Sequence, residues 1–200
     1  MTLKRELFVD QTNCSIIESV ITRYKDSSDI YSQVDQFTLS LQNEGVNFQV
    51  YENYVAVSKR ATTRQVFTLW EGGHQYPFVI ELFVWPSKVF VESISKDSKG
   101  YCTPIHAHPI PCAFTVVSND VSERIYEKDT SGQLNYQTTI RHQKGYGTVD
   151  VKLNHDFIHQ LLYEGSVGGP CYAQSLHIYG VPYSKDISSV YNSEFFFELV

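Results

Sequence analysis

From Val46 onward, short runs rich in Val, Ile, Phe, Tyr and Thr alternate with clusters of Gly, Pro, Asn and Asp. The runs fall at residues 78–84, 88–94, 112–117, 121–126, 134–140, 148–153, 157–162, 172–179 and 194–199. β-Branched and aromatic side chains suit a pleated, half-buried surface. Many short strands at roughly 8–12-residue spacing imply a sandwich or barrel. Glu71-Gly72-Gly73, Ser131-Gly132 and Gly168-Gly169-Pro170 supply turn signals between runs. The 88–94 run, with Val89 and Val91 alternating against Phe90 and Glu92, reads as a strand like the others.

Before Val46 the pattern is helical. Ser15 and Glu18 are spaced as a capping box, and Ile17, Val20, Ile21 and Tyr24 follow at helical intervals. A second helix is expected over 30–42, with Val34, Phe37 and Leu41 on one face and Gly45 as its left-handed stop. No repeat or long linker interrupts the 200 residues. We therefore expect one domain over 1–200: a helical segment at 1–45 packed on a β-barrel at 46–200. Such a length hides roughly 70% of the unfolded chain's surface.

Sixteen Lys and Arg against 22 Asp and Glu give a net charge of −6. That balance argues against a nucleic-acid partner. Lys4 and Arg5 are followed by Glu6 and Asp10 rather than an apolar stretch, so no export signal is expected. The densest apolar run, 77–85, is too short for a membrane span and contains Glu81. A cytoplasmic monomer without membrane partners is the expectation. Cys14, Cys102, Cys112 and Cys171 then read as thiols or site residues, not a disulfide framework.

Three histidines carry the chemical signal. His106 and His108 in His106-Ala107-His108 share a face if the segment is extended, and two imidazoles a pleat apart can hold one metal. Two surface histidines near a turn would give the same pattern. His159 shares a face with Phe157 and Leu161, which turns it inward, as either a hydrogen-bonded core residue or a third ligand. Ser175, His177 and Tyr179 lie in file on one face of the last clear run, with Leu176 and Ile178 on the other. If the polar face is inward, a hydroxyl–imidazole–phenol chain satisfies it in series, and buried polar groups need such partners. Periodicity does not choose between the faces. His74, His142 and His155 fall in turn-like segments and read as solvated, and Trp70 and Trp85 as core or barrel-rim aromatics.

Gly100 six residues ahead of the HxH pair, a third histidine downstream and the Ser-Leu-His-Ile-Tyr strand together resemble the thiol dioxygenases of the cupin superfamily, most nearly cysteine dioxygenase. The resemblance spans roughly residues 64–183 and implies a cupin double-stranded β-helix (jelly-roll) barrel. It further implies a ferrous iron, Fe(II), held by His106, His108 and His159, with no ligating carboxylate. Cys112 stands near the position of the usual cupin glutamate, and in some members a cysteine there forms a thioether with the tyrosine of the Ser-x-His-x-Tyr strand. Cys112 and Tyr179 are the matching pair. Arg64 matches the arginine that grips the substrate carboxylate, with Arg60 and Lys59 as neighbouring alternatives. The pattern departs from the family at Thr62 and Tyr163, and between His159 and His177, where an inserted turn is expected at 165–170.

The implied activity is oxidation of a small thiol, L-cysteine first, to its sulfinate by O2. Tyr179 would donate to the bound reactants, His177 would orient Tyr179, and Ser175 would orient His177. If no arginine reaches the pocket, 3-mercaptopropionate or another small thiol fits as well. A non-catalytic metal-binding cupin, or a cupin enzyme using another divalent ion, is the reading from a different class. Three imidazoles suit zinc, iron, nickel and copper alike.

Overall fold

The computed structural model describes residues 11–72, 76–108, 111–150 and 157–180. The expected strand at 194–199, the end of the 148–153 run, His74 and His155 lie outside them.

The N-terminal segment is helical, as its periodicity predicts, but it is divided differently. Helix α1 spans Gln11–Ile21, so Ser15 is an exposed residue inside the helix and not its cap. Ile17, Val20 and Ile21 form its buried face. The single helix expected at 30–42 is two, α2 (Ser27–Ser32) and α3 (Val34–Asn43), broken at Gln33. Val34, Phe37 and Leu41 are buried on α3 as the spacing requires. Gly45 ends it at φ +97°. The Gly45 N–H bonds to Gln42 O and the Val46 N–H to Leu41 O, which closes the free carbonyls of the last turn. Helical structure then runs past the expected boundary at 45, because α4 occupies Gln49–Ala56 and buries Tyr51 and Val55.

Eight strands follow: β1 (Gln65–Glu71), β2 (Phe78–Pro86), β3 (Cys112–Ser118), β4 (Asp120–Lys128), β5 (Leu134–Gln143), β6 (Gly147–Asp150), β7 (Ile158–Leu162) and β8 (Tyr172–Gly180). β1 is an addition to the sequence reading. The 88–94 run is a correction: it is helix α5 (Lys88–Ile94), because the Ser87 hydroxyl accepts the Phe90 N–H and caps a turn. Two antiparallel sheets form, in the orders β1-β2-β8-β3-β6 and β5-β4-β7. The fold is mainly β, a barrel of two antiparallel sheets as expected, with helices against one outer face.

That face explains the burial pattern of the larger sheet. Residues 78, 80, 82 and 84 of β2 and 176 and 178 of β8 join the helices in one apolar core. Phe83 and Trp85 of β2, Phe114 and Val116 of β3, and Ala173 of β8 face the other way, into the barrel, with Leu161 and Tyr163. β2 and β8 are thus buried on both faces. The smaller sheet covers the barrel interior, and the segment at 102–106 adds to its β7 edge. There Cys102 pairs with Leu162 and His106 with His159. The expected inserted turn at 165–170 is present, with Gly165 and Gly168 at positive φ. Among the described residues, no helix is long and apolar enough to cross a membrane.

Candidate metal centre

His106 and His159 exchange two backbone hydrogen bonds of 2.8 Å. This pairing sets the HxH segment directly opposite the third histidine. All three imidazoles are buried, and their candidate ligand nitrogens lie within 4.8 Å of one another. The rings pack edge-on or tilted, with centroids 4.5–5.0 Å apart. Burial holds two of them neutral: His106 is well below the usual histidine range and His108 is pushed down to about 3, each helped by its imidazole neighbours. Neutral imidazoles with converging nitrogens are what a metal requires.

The outer contacts fix which nitrogens point inward. His106 Nδ1 lies 2.9 Å from the Pro104 carbonyl, and a carbonyl only accepts, so Nδ1 carries the proton and Nε2 a lone pair. His159 Nδ1 lies 2.6 Å from Glu123 Oε1, and an ionised carboxylate only accepts, so this Nδ1 carries a proton as well. His159 Nε2 then faces His108 Nε2 at 3.0 Å. The donor set fits a divalent transition ion, and the three histidines could hold one.

Glu123 is a site residue the sequence reading missed. It is 1% exposed and its second oxygen lies 2.8 Å from His142 Nε2. Burial alone would raise its pKa, but hydrogen bonds from His142 and His159 overcome that and hold it near about 2. His142, expected to be solvated, is buried against Phe114. The signal was present in the 121–126 run, where Glu123 stands on one strand face between Val121 and Ile125.

The Ser175, His177 and Tyr179 face is the inward one. Trp85 Nε1 donates to Ser175 Oγ at 2.8 Å, and Ser175 Oγ and His177 Nε2 share a second hydrogen bond of 2.8 Å whose direction follows the His177 tautomer. Burial keeps His177 neutral, so the ring donates through one nitrogen and accepts through the other, and its Nδ1 lies 3.2 Å from Tyr179 Oη. With the His177 proton on Nδ1, the phenol proton is left to point onward. Burial and the nearby Cys112 and Glu81 charges push the Tyr179 pKa well above its ordinary value, so the phenol stays protonated. Its ring stands 5.5 Å from that of His108. Cys112 sits opposite Tyr179 in the β3–β8 register, and the thiol and phenol are in hydrogen-bond contact.

Arg64 is buried, whereas Lys59 and Arg60 are exposed on the surface. Its Nη1 donates to Cys102 O at 2.7 Å, and its guanidinium lies 5.5 Å from the Trp85 ring centroid. Nε has no hydrogen-bond partner, and no carboxylate among the described residues pairs with the group. Burial lowers its pKa to about 10. The backbone at 62–64 is pinned by the Arg64 N–H to Gly100 O bond of 2.7 Å, and a Cβ on Gly100 would fall 2.1 Å from Thr62 O.

A mainly β two-sheet barrel enclosing a three-histidine cluster is thus the class that fold and site define. Comparison with known proteins gives no matching family model and no matching curated relative. Among solved structures the chain is similar to a cupin superfamily protein of Desulfitobacterium hafniense, at 10% identity over 60% of this chain and 78% of that one, with TM-score 0.37. It is also similar to an RmlC-like cupin family protein with a double-stranded β-helix fold from Methanocaldococcus jannaschii, at 11% identity over 62% and 85%, TM-score 0.37. An oxalate oxidase shares 14% identity over 63% of this chain and 54% of that one, TM-score 0.39. Overlaps of this extent carry no conclusion about chemistry.

Proposed function

We propose that this protein is a mononuclear non-haem Fe(II) thiol dioxygenase. It converts a small thiol that bears a carboxylate, L-cysteine first, to its sulfinate: RSH + O2 gives RSO2H, both oxygens bonding to sulfur. The observation that carries this reading is Arg64, a buried guanidinium with no carboxylate partner among the described residues. It lies close enough to His106 and His177 for its charge to act on both. A buried charge without a partner is costly, and an anionic ligand relieves it.

His106, His108 and His159 would hold the ion through neutral nitrogens. Bound Fe(II) supplies the Lewis acidity that ionises the thiol at neutral pH and the redox activity that engages O2. The protein's own groups do the rest. Arg64 binds the substrate carboxylate and so fixes the direction in which the thiol enters. Trp85, Ser175 and His177 lock the Tyr179 ring, and the Tyr179 hydroxyl offers a proton where negative charge develops. Phe83 stacks on Trp85 at 5.3 Å and, with Phe114, packs against His177, which keeps water from the relay. Cys112 and Tyr179, in contact across β3 and β8, would form a thioether by losing the thiol S–H and a phenol ring C–H hydrogen to O2, a two-electron oxidation. We place the activity in the cytoplasm, in keeping with four cysteines that form no disulfide.

The test is anaerobic reconstitution with Fe(II), followed by O2 uptake with L-cysteine and with 3-mercaptopropionate and mass spectrometry of the product. Uptake matched by sulfinate and abolished in His106→Ala supports the enzyme. Uptake with 3-mercaptopropionate alone keeps the chemistry and changes the thiol. One tightly bound iron without uptake on either thiol refutes this assignment and favours the non-catalytic metal-binding cupin.

A further inference from the structure

The three imidazoles are not equivalent. His106 is backed by a neutral carbonyl, that of Pro104, whereas His159 is backed by the Glu123 carboxylate. β4 is the middle strand of the smaller sheet, and Glu123 uses both of its neighbours. Across β4–β7 it sits opposite Leu161, with His159 one diagonal step away. Across β4–β5 it sits opposite Ile140, with His142 one diagonal step away on the other side. Diagonal pairs on one sheet face lie within reach of long side chains. The result is a continuous line, His142 Nε2 to Glu123 Oε2 at 2.8 Å and Glu123 Oε1 to His159 Nδ1 at 2.6 Å, with all three groups buried.

We infer that Glu123, clamped by His142, is the positioning device of the metal centre: it fixes the His159 tautomer and ring direction and places a buried negative charge behind that ligand. A carboxylate that lost one donor could rotate about its Cβ–Cγ and Cγ–Cδ bonds. With a donor on each oxygen it has one orientation. His142 is itself held edge-on by Phe114 at 5.0 Å, and Phe114 stacks on His177 at 5.2 Å. The clamp is therefore registered against the relay that ends at Tyr179. A cation behind His159 also finds the charge of a fourth, non-ligating group, so a site with only neutral ligands is not electrostatically neutral.

This inference rests on the metal reading of the three histidines and is independent of thiol chemistry. The test uses Co(II), titrated anaerobically into the metal-free full chain and followed by calorimetry and by the cobalt visible spectrum. Glu123→Leu removes both acceptors. Glu123→Gln keeps one acceptor and removes the charge. Losing an outer-shell partner weakens metal affinity by roughly 10–100-fold. We expect Glu123→Leu at the upper end, Glu123→Gln at the lower end with an altered spectrum, and His142→Phe between Glu123→Gln and wild type. The 15N NMR spectrum of the metal-free wild type should show His159 protonated at Nδ1, a readout that no variant's folding affects. Affinity and spectrum unchanged in Glu123→Leu and Glu123→Gln overturn the inference, as does a His159 proton on Nε2. Wild type that binds no Co(II) overturns both it and the proposed function. Co(II) bound by wild type and weakened by Glu123→Gln supports it even where no thiol is oxidised.

Discussion

Arg64→Met separates a binding role for the guanidinium from a structural one, because the two roles predict different signs. Burial depresses the Arg64 pKa from 12.5 to about 10. A cation whose folded pKa lies below its unfolded one destabilises the fold wherever it is charged. That penalty is present below about pH 10 and is relieved as the pH rises through the interval up to the unfolded value. At neutral pH it amounts to about 3 kcal/mol, taking roughly 1.4 kcal/mol per unit. Met recovers it but leaves the Cys102 carbonyl without its donor, which costs about 1–3 kcal/mol, and forgoes the Trp85 contact, about 1 kcal/mol. The sum is a stability change within about 1 kcal/mol, or no more than about 2–4 °C in Tm for a chain this long. An arginine in a buried salt bridge would instead cost about 3–5 kcal/mol on removal. Activity should respond oppositely. Losing a buried charge pair with the substrate carboxylate costs about 2–5 kcal/mol, hence roughly 30- to 4,000-fold in kcat/KM for L-cysteine. Thermal denaturation and O2 uptake measure the two quantities. Cysteamine, which has the thiol and amine without the carboxylate, should react equally poorly with both proteins. A Tm drop of 10 °C or more, or an unchanged kcat/KM with L-cysteine, would refute the reasoning.

The relay predicts that Ser175→Ala, which strands Trp85 Nε1 and His177 Nε2 in the core, loses about 1–3 kcal/mol of stability, measurable by urea denaturation. Tyr179→Phe should keep anaerobic thiol binding while kcat falls on the order of 10²-fold, the typical cost of one preorganised donor; a raised KM at constant kcat would contradict the assignment. Gly100→Ala must push the backbone at Thr62, which shifts Arg64 and should raise KM for L-cysteine more than it lowers kcat in steady-state kinetics. Acid should unfold the metal-free protein in stages, read by circular dichroism against pH. Neutral burial of His106, His108 and His177 is lost progressively below about pH 6.5, where the unfolded imidazoles protonate. The contribution of Glu123, whose folded pKa is near about 2, is present above the ordinary carboxylate range and lost as the pH falls through it. A stability that does not change between pH 7 and 4 would be the contrary result.

What the sequence makes legible follows from where a side chain has only one good environment. The strands at 78–84, 112–117, 121–126, 134–140 and 172–179 carry apolar alternation bounded by turn residues, and each forms within a residue or a few of its expected limits. The 88–94 run fails because an apolar run this short does not separate a strand from a helix, and the Ser87 cap decides between them. The two faces of β8 were indistinguishable for a physical reason: the strand is central, so Leu176 and Ile178 are as buried as Ser175 and His177. His106, His108 and His159 were visible as residue types at suggestive spacings. Glu123 and His142 were not, because their meaning depends on which strands become neighbours. Arg64 was singled out among three adjacent cations only by likeness, and burial is what separates it from Lys59 and Arg60.

The strand order of the larger sheet has a consequence for how the protein is made. β8 is inserted between β2 and β3, although some fifty residues of chain separate it from β3. On the ribosome, β1 and β2 emerge early and wait, with the β2 edge unpaired, until residues 172–180 have left the exit tunnel. His159 and Tyr179 arrive in that same final stretch. No nascent chain shorter than about 180 residues can assemble the three-imidazole cluster beside its phenol. Pairings this distant in sequence also close slowly, and during that interval the facing edges of β2 and β3 both present unpaired backbone groups.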